Sequence, residues 1–174
     1  MIDMLTTYQS PIGELTLASN GQQLVGLWLA EQKYFGATLE QQMIEKNDLP
    51  IFEKTKTWLD QYFCGQRPDV ANLELAPRGS EFRQIVWQLL ADIPYGKVMT
   101  YGHIAQKVAT QMGKPSMSSQ AVGAAIAHNP ISIIIACHRV IASTGSLTGY
   151  AGGIENKAYL LSLEGVDMKR LYVP

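Results

Sequence analysis

Nine consecutive residues, Ile133-Ile134-Ile135-Ala136-Cys137-His138-Arg139-Val140-Ile141, constrain this chain more than any others. Their apolar, β-branched flanks read as a buried strand. A thiol, an imidazole and a guanidinium interrupt the run where a strand should turn out of the core. Burying such groups unpaired is costly, so the fold must supply partners for them or give them a site to serve. Taken alone, Cys137 reads as core filler, because a free cysteine packs as a small hydrophobe. Its neighbours make it a candidate nucleophile, since an imidazole is the common means of generating a thiolate near neutral pH.

The rest of the composition narrows the setting. With 174 residues and 47% hydrophobic content, the chain can build one medium domain or two small ones. No stretch approaches the roughly 20 apolar residues of a membrane span, and Met1-Ile2-Asp3-Met4 does not resemble a signal peptide. The expectation is a cytoplasmic protein with no membrane partner. In that compartment Cys64 and Cys137 stay unpaired, and Cys64, at the apolar end of a helix, reads as buried and structural. Three histidines and two cysteines in no ligand-like spacing give no case for a metal. The net charge of −1 hides an asymmetry: residues 1–75 carry 10 acidic and 5 basic side chains, and residues 78–174 carry 5 and 9. The basic balance of the second half suits a polyanionic partner.

Alternation through Glu14-Leu15-Thr16-Leu17-Ala18, a turn at Asn20-Gly21 and the run from 24 to 29 predict a hairpin. Helical spacing of Ile51, Phe52, Trp58, Leu59, Tyr62 and Phe63 predicts a helix over 51–63, closed by Gly65 and Pro68. This gives a small α/β domain over 1–77, a sheet with a hairpin and a helix. A mostly α domain over 78–174 follows. It opens with Ser80 capping a helix that ends at Pro94-Tyr95-Gly96, and continues with a short helix capped by Thr100. After a break at Gly113-Lys114-Pro115-Ser116, a helix over 119–128 stops at Asn129-Pro130. The last two helices match a helix-turn-helix, a pattern used for DNA binding and for plain packing alike. A glycine-rich loop, Gly145-Ser146-Leu147-Thr148-Gly149-Tyr150-Ala151-Gly152-Gly153, lacks the ending of a phosphate cradle. The final helix, over 155–164, turns Tyr159, Leu160 and Leu163 inward before Gly165.

Taken together, Tyr101, Asn129, Cys137-His138-Arg139-Val140, Gly149-Tyr150-Ala151-Gly152-Gly153 and Glu164 resemble the O6-alkylguanine-DNA alkyltransferases, the methylated-DNA–protein-cysteine methyltransferases. The likeness runs over about residues 80–165, and Pro11-Ile12-Gly13 is similar to the front half of bacterial members. It implies a monomer without a cofactor that binds the minor groove of double-stranded DNA carrying O6-alkylguanine. The damaged base is flipped beside the cysteine, in keeping with the need of base-modifying enzymes to unstack their target.

By the same resemblance, Cys137 is the alkyl acceptor, His138 the base that helps form its thiolate through a water, and Glu164 the group that holds His138. Adjacent residues of an extended segment point to opposite sides, which agrees with an indirect relay. Tyr101 would donate to N3 of the guanine and the Ala151 N–H to O6. The carbonyls of Cys137 and Val140 would accept from the exocyclic amine. Asn129 would tie the recognition helix to the reactive strand, while Tyr150, Gly152 and Leu147 shape the pocket. Ser119, Gln120, Ala121 and Arg139 would meet DNA. The reaction implied is a single-turnover displacement that leaves a thioether on Cys137.

The chain departs from the family pattern where Ala136 replaces the usual proline, where Gln120 stands in place of an arginine that fills the gap left by the flipped base, and where Ala151 stands in place of a serine. Front-half zinc ligands of some relatives are absent. Two other readings remain at this point. One is a non-catalytic protein, similar to the alkyltransferase-like proteins, that only recognises alkylated DNA. The other is a cysteine hydrolase pairing Cys137 with His103 or His128.

Overall fold

The alternation of the first residues becomes sheet in the computed structural model, which describes residues 2–174. Strands β1 (Ile2–Ser10), β2 (Gly13–Ser19) and β3 (Leu24–Leu29) form an antiparallel meander, and β4 (Gln42–Glu45) joins β1 in parallel, giving the order β3-β2-β1-β4. The hairpin is turned by Asn20, whose Oδ1 accepts from the N–H groups of Gln22 and Gln23. All of β3 is buried because both of its faces are covered. Leu24, Leu27 and Leu29 enter the main core, while Val25 and Trp28 pack with Ala18 on the other side.

Helix α1 (Pro50–Phe63) starts on a proline, where no N–H is needed, and buries Phe52, Trp58, Leu59 and Tyr62. The other helices are α2 (Glu81–Ala91), α3 (Tyr101–Gln111), α4 (Ser119–Ala127) and α5 (Ile154–Leu163). Ser80 and Thr100 cap α2 and α3 as their positions predict, and Ser118 caps α4 through the Ala121 N–H. A short parallel pair, β5 (Met99–Thr100) and β6 (Val140–Ile141), ties the start of α3 to the reactive segment. Trp87 locks α2 onto α4: its ring is buried and its Nε1–H donates to the Ala125 carbonyl at 2.9 Å. Truncating a core tryptophan of this kind costs about 3–5 kcal/mol. One contiguous apolar cluster runs from Leu15 on β2 to Leu160 on α5, so the front half and the helical half share a core.

Three expectations are corrected here. The apolar run over 133–141 is not a continuous strand, since only Val140–Ile141 pairs and Cys137–Arg139 is a 3-10 turn. Cys64 is exposed, because α1 ends at Phe63 and the chain turns outward at once. Tyr159 is 39% exposed, and Lys157, Leu160 and Leu161 form the inward face of α5 instead. Among the described residues no helix is long and apolar enough to cross a membrane.

Candidate active site

The turn that presents Cys137 is assembled from distant parts of the chain. Asn129, buried just past α4, accepts from the Ile131 N–H at 3.0 Å and donates to the Ile135 carbonyl at 2.8 Å. The outer edge of β3 grips the same segment: the Leu27 N–H donates to the Pro130 carbonyl at 2.8 Å, and the Ser132 N–H to the Leu27 carbonyl at 2.9 Å. Ser132 Oγ is held in turn by Gln32 Oε1 at 3.0 Å. Held at these points, Ile133 adopts φ 72°, which a β-branched residue reaches only under constraint. That reversal, which breaks the strand, delivers Cys137. Ala136 sits at φ −81°, close to the angle a proline ring would impose, so the absent proline leaves the path of the turn intact.

The 3-10 turn buries His138 completely and aims its Nε2 at Glu164 Oε2, 2.6 Å away. Glu164, at the C-cap of α5, is a hub. Oε1 accepts from Arg139 Nε at 2.8 Å and the Gly96 N–H at 3.1 Å. Oε2 accepts from Tyr62 Oη at 2.7 Å and Arg139 Nη2 at 3.0 Å. With Nε2 donating to this carboxylate, His138 Nδ1 is an acceptor, and it has no partner among the described residues. Burial pulls the His138 pKa down against the raising effect of Glu164, so the ring rests neutral. Burial alone would raise Glu164, but the hydrogen bonds and charges of His138 and Arg139 outweigh it and hold the carboxylate well below its ordinary range. The result is a buried neutral base backed by a fixed negative charge. Arg139 is thereby corrected as a DNA contact: its guanidinium faces inward onto Glu164 and the Ile93 carbonyl.

Burial raises the pKa of the Cys137 thiol, while Asn129, the Lys157 charge, the residue's own N–H and Ser132 pull it down without cancelling that effect. A thiol kept neutral in this way needs a base to ionise it. Of the other two histidines, His103 is exposed on α3, and His128 Nδ1 donates to the Ala124 carbonyl while its ring stacks on Tyr34. Neither is among the groups acting on the sulfur.

A cleft of about 410 Å³ is lined by Tyr101, Gly123, Ala127, Thr148, Gly149, Tyr150, Ala151, Ile154 and Lys33; Cys137 is not in this lining, but its charge acts on Tyr101 and Tyr150. A larger cleft of about 510 Å³ between α1 and residues 68–73 contains no thiol or imidazole, so size does not mark the chemistry. In the smaller cleft the Tyr101 hydroxyl donates to the Thr148 carbonyl at 3.1 Å. Burial, with the Cys137 charge adding to it, pushes its pKa up to about 12, and Tyr101 stays a neutral donor. Gly149, at φ 88°, permits the approach, since a Cβ there would lie 2.7 Å from the Tyr101 hydroxyl. Tyr150 walls the cleft, its buried hydroxyl without a partner among the described residues.

Ala151 reaches the lip, and Gly152 lies behind it, where a side chain would strike the Tyr150 ring. Val140 is buried in β6. Leu147 is corrected: it packs with Ile141 and Leu161 in a separate cluster and does not line the cleft. Ser119, Gln120 and Ala121 are exposed on the first turn of α4.

The main omission of the sequence reading is Lys157. It is fully buried, its Nζ 3.4 Å from the Thr148 carbonyl and 5.7 Å from the Tyr101 ring centroid. Burial drives its pKa down to about 8. Its signal was a lysine three and four residues before Leu160 and Leu161, on the apolar stripe of α5. Among the described residues no group of three or more histidine, cysteine or acidic side chains could hold a metal ion.

Two profiles of one family match this chain. That for the 6-O-methylguanine DNA methyltransferase ribonuclease-like domain covers residues 4–77, and that for the DNA binding domain of the same family covers residues 81–166. A methylated-DNA–protein-cysteine methyltransferase of Mycobacterium tuberculosis is 44% identical over 158 residues, 91% of this chain and 90% of that protein. One from Haemophilus influenzae is 36% identical over 161 residues, 92% of this chain and 86% of its own length. The crystal structure of Mycobacterium tuberculosis OGT in complex with DNA superposes with a TM-score of 0.76 at 41% identity, covering 94% of this chain and 92% of that one.

Proposed function

Because the chain belongs to the 6-O-methylguanine DNA methyltransferase family and repairs DNA by taking an alkyl group onto one of its own cysteines, we propose that the acceptor is Cys137 and the donor an O6-alkylguanine flipped out of duplex DNA. The first turn of α4, with Ser119, Gln120 and Ala121, lies in the minor groove, and Gln120 occupies the gap in the base stack. The protein acts as a monomer, in the cytoplasm.

The steps follow from the residues in hand. Neutral His138 takes the Cys137 proton at Nδ1 through one water, and the resulting imidazolium is stabilised by Glu164 across the 2.6 Å contact. The thiolate attacks the alkyl carbon in line with the O6–carbon bond. The sulfur–carbon bond forms as that bond breaks, and the proton removed from the thiol ends on the guanine. Tyr101 exchanges the Thr148 carbonyl for N3 of the purine and makes it a better leaving group. General-base assistance of this kind is worth about 10²–10⁴-fold. A thioether has no easy leaving group, so each molecule works once.

One observation carries this reading: a buried His138 bound at Nε2 to Glu164 with Nδ1 unpartnered, beside a thiol that burial keeps protonated. The test is to incubate the protein with a duplex holding a single O6-methylguanine and weigh its tryptic peptides. One methylene should appear on the Cys137 peptide in step with loss of the lesion, and Cys137→Ala should bind the duplex and gain nothing. Alkylation of the exposed Cys64 instead, or tight binding with no mass gain, overturns the assignment.

A further inference from the structure

We propose that Lys33, contributed by the acidic front half, is a phosphate clamp that holds the sugar-phosphate backbone of the extruded nucleotide at the lip of the cleft. The inference rests on the function proposed above and adds to it a residue outside the helix-turn-helix and the Cys-His segment.

Among the residues that line the 410 Å³ cleft, Lys33 alone carries a charge. Its placement is built rather than incidental. The Lys33 N–H donates to the Ala151 carbonyl at 3.0 Å, which fixes the root of the side chain on the loop that meets the base. The preceding residue, Gln32, is buried, and its Oε1 accepts from the Leu29 N–H and from Ser132 Oγ, both at 3.0 Å. The following residue, Tyr34, stacks on His128 at the end of α4, ring centroids 3.8 Å apart and planes within 18°.

Glu31 and Tyr34, on either side, both adopt φ 62°, a left-handed backbone that costs a non-glycine residue about 1–2 kcal/mol. Such conformations persist where the surroundings over-determine them. Here three anchors, to β3, to the glycine-rich loop and to the recognition helix, hold one exposed lysine at the mouth of the site.

Once a base lies in the cleft, its own phosphates must lie at the rim, where the other lining groups are neutral. An ammonium on a flexible stem suits a phosphate oxygen. The front half is otherwise repulsive to DNA, with 10 acidic side chains against 5 basic ones in residues 1–75. A single cation at its point of contact offsets that field locally.

The test compares Lys33→Ala and Lys33→Arg with a control, Lys54→Ala on α1 away from the cleft. Affinity for the lesion duplex is measured in a Cys137→Ala background across salt concentrations. Labelling of Cys137 by free O6-benzylguanine is measured in the otherwise unchanged proteins.

Removing one phosphate contact lowers the salt slope by about 0.9, so the affinity lost in Lys33→Ala shrinks by about 3.5-fold between about 50 and 200 mM salt. In Lys33→Ala free-base labelling falls by less than duplex affinity, Lys33→Arg restores the slope, and Lys54→Ala changes neither. An unchanged slope overturns the clamp. So does a fall in free-base labelling as large as the loss of duplex affinity, which would make Lys33 a support for the Ala151 loop. Failure of the underlying function looks different: the parent protein then leaves the lesion in the duplex, and the clamp falls with it.

Discussion

Glu164→Gln is the sharpest perturbation of the relay, because it keeps the shape of the side chain and removes its charge. The carboxylate accepts five hydrogen bonds, from His138, Tyr62, both Nε and Nη2 of Arg139, and the Gly96 N–H. An amide can supply an acceptor oxygen on one side only. If its oxygen takes the place of Oε2, its NH₂ faces Arg139 Nε and the Gly96 N–H, two donors against a donor; the other orientation is worse, with three. Two unsatisfied buried donors at about 1–3 kcal/mol each agree with the roughly 3–5 kcal/mol expected when one partner of a buried ion pair is removed. For a chain of this size, that lowers the melting temperature by about 6–20 °C.

Transfer should also slow by about tenfold or more, because His138 loses the charge that stabilises its protonated form. The slowing should lessen as pH rises and the thiol ionises without help. Thermal unfolding and O6-benzylguanine labelling of Cys137 between pH 6 and about 9.5 read both effects. A variant within 1 kcal/mol of the parent, or one whose labelling rate is unchanged, refutes the reasoning that Glu164 is the electrostatic support of the base.

Two further outcomes follow from the same geometry. Gly149→Ala places a Cβ 2.7 Å from the Tyr101 hydroxyl on a backbone of φ 88°, so duplex transfer should fall by about tenfold or more while the Cys137→Ala form of the variant still binds undamaged duplex; full activity would show that Tyr101 does not need this approach. The lowered pKa of Lys157, about 8 against an ordinary 10.5, means the unfolded chain holds that proton more tightly. Its burden on stability is therefore full below pH 8 and is relieved as pH rises towards 10.5. Lys157→Met should flatten that rise in denaturant unfolding measured across the window, and parallel pH profiles for parent and variant would count against a charged lysine in the core.

The features that could be read in the sequence are those set by neighbours. The caps at Ser80 and Thr100, the Asn20-Gly21 hairpin and the stop at Asn129-Pro130 are local chemistry, and each appears in place. Cys137 and His138 stand out as an adjacent thiol and imidazole, Glu164 and Tyr101 enter through the family resemblance, and the fold supplies the contact between His138 and Glu164. Cys64 is exposed for a local reason, the end of α1, but other differences arise where a residue's surroundings come from far along the chain. Arg139 directly follows the Cys137-His138 pair in sequence, but its partner is 25 positions away. Tyr62 meets Glu164 across 102 positions. The run of isoleucines has the composition of a strand, and only the side chain of Asn129 and the edge of β3 bend it into a turn.

That last point explains why the front half matters to the chemistry although it contributes neither thiol nor base. Edge strands are a liability unless covered, and β3 hydrogen-bonds residues 74–76 near one end and 130–132 near the other. The reactive turn thus completes the sheet, and its geometry is set by a ladder rather than by its own propensities. A turn with a β-branched residue at φ 72° would relax if this support were loosened. Any relaxation would move Cys137 against His138, because Glu164 on α5 holds the imidazole independently of that ladder. The sheet is therefore what fixes the nucleophile in place, and weakening the contact between β3 and residues 130–132 should cost reactivity before it costs the helical core.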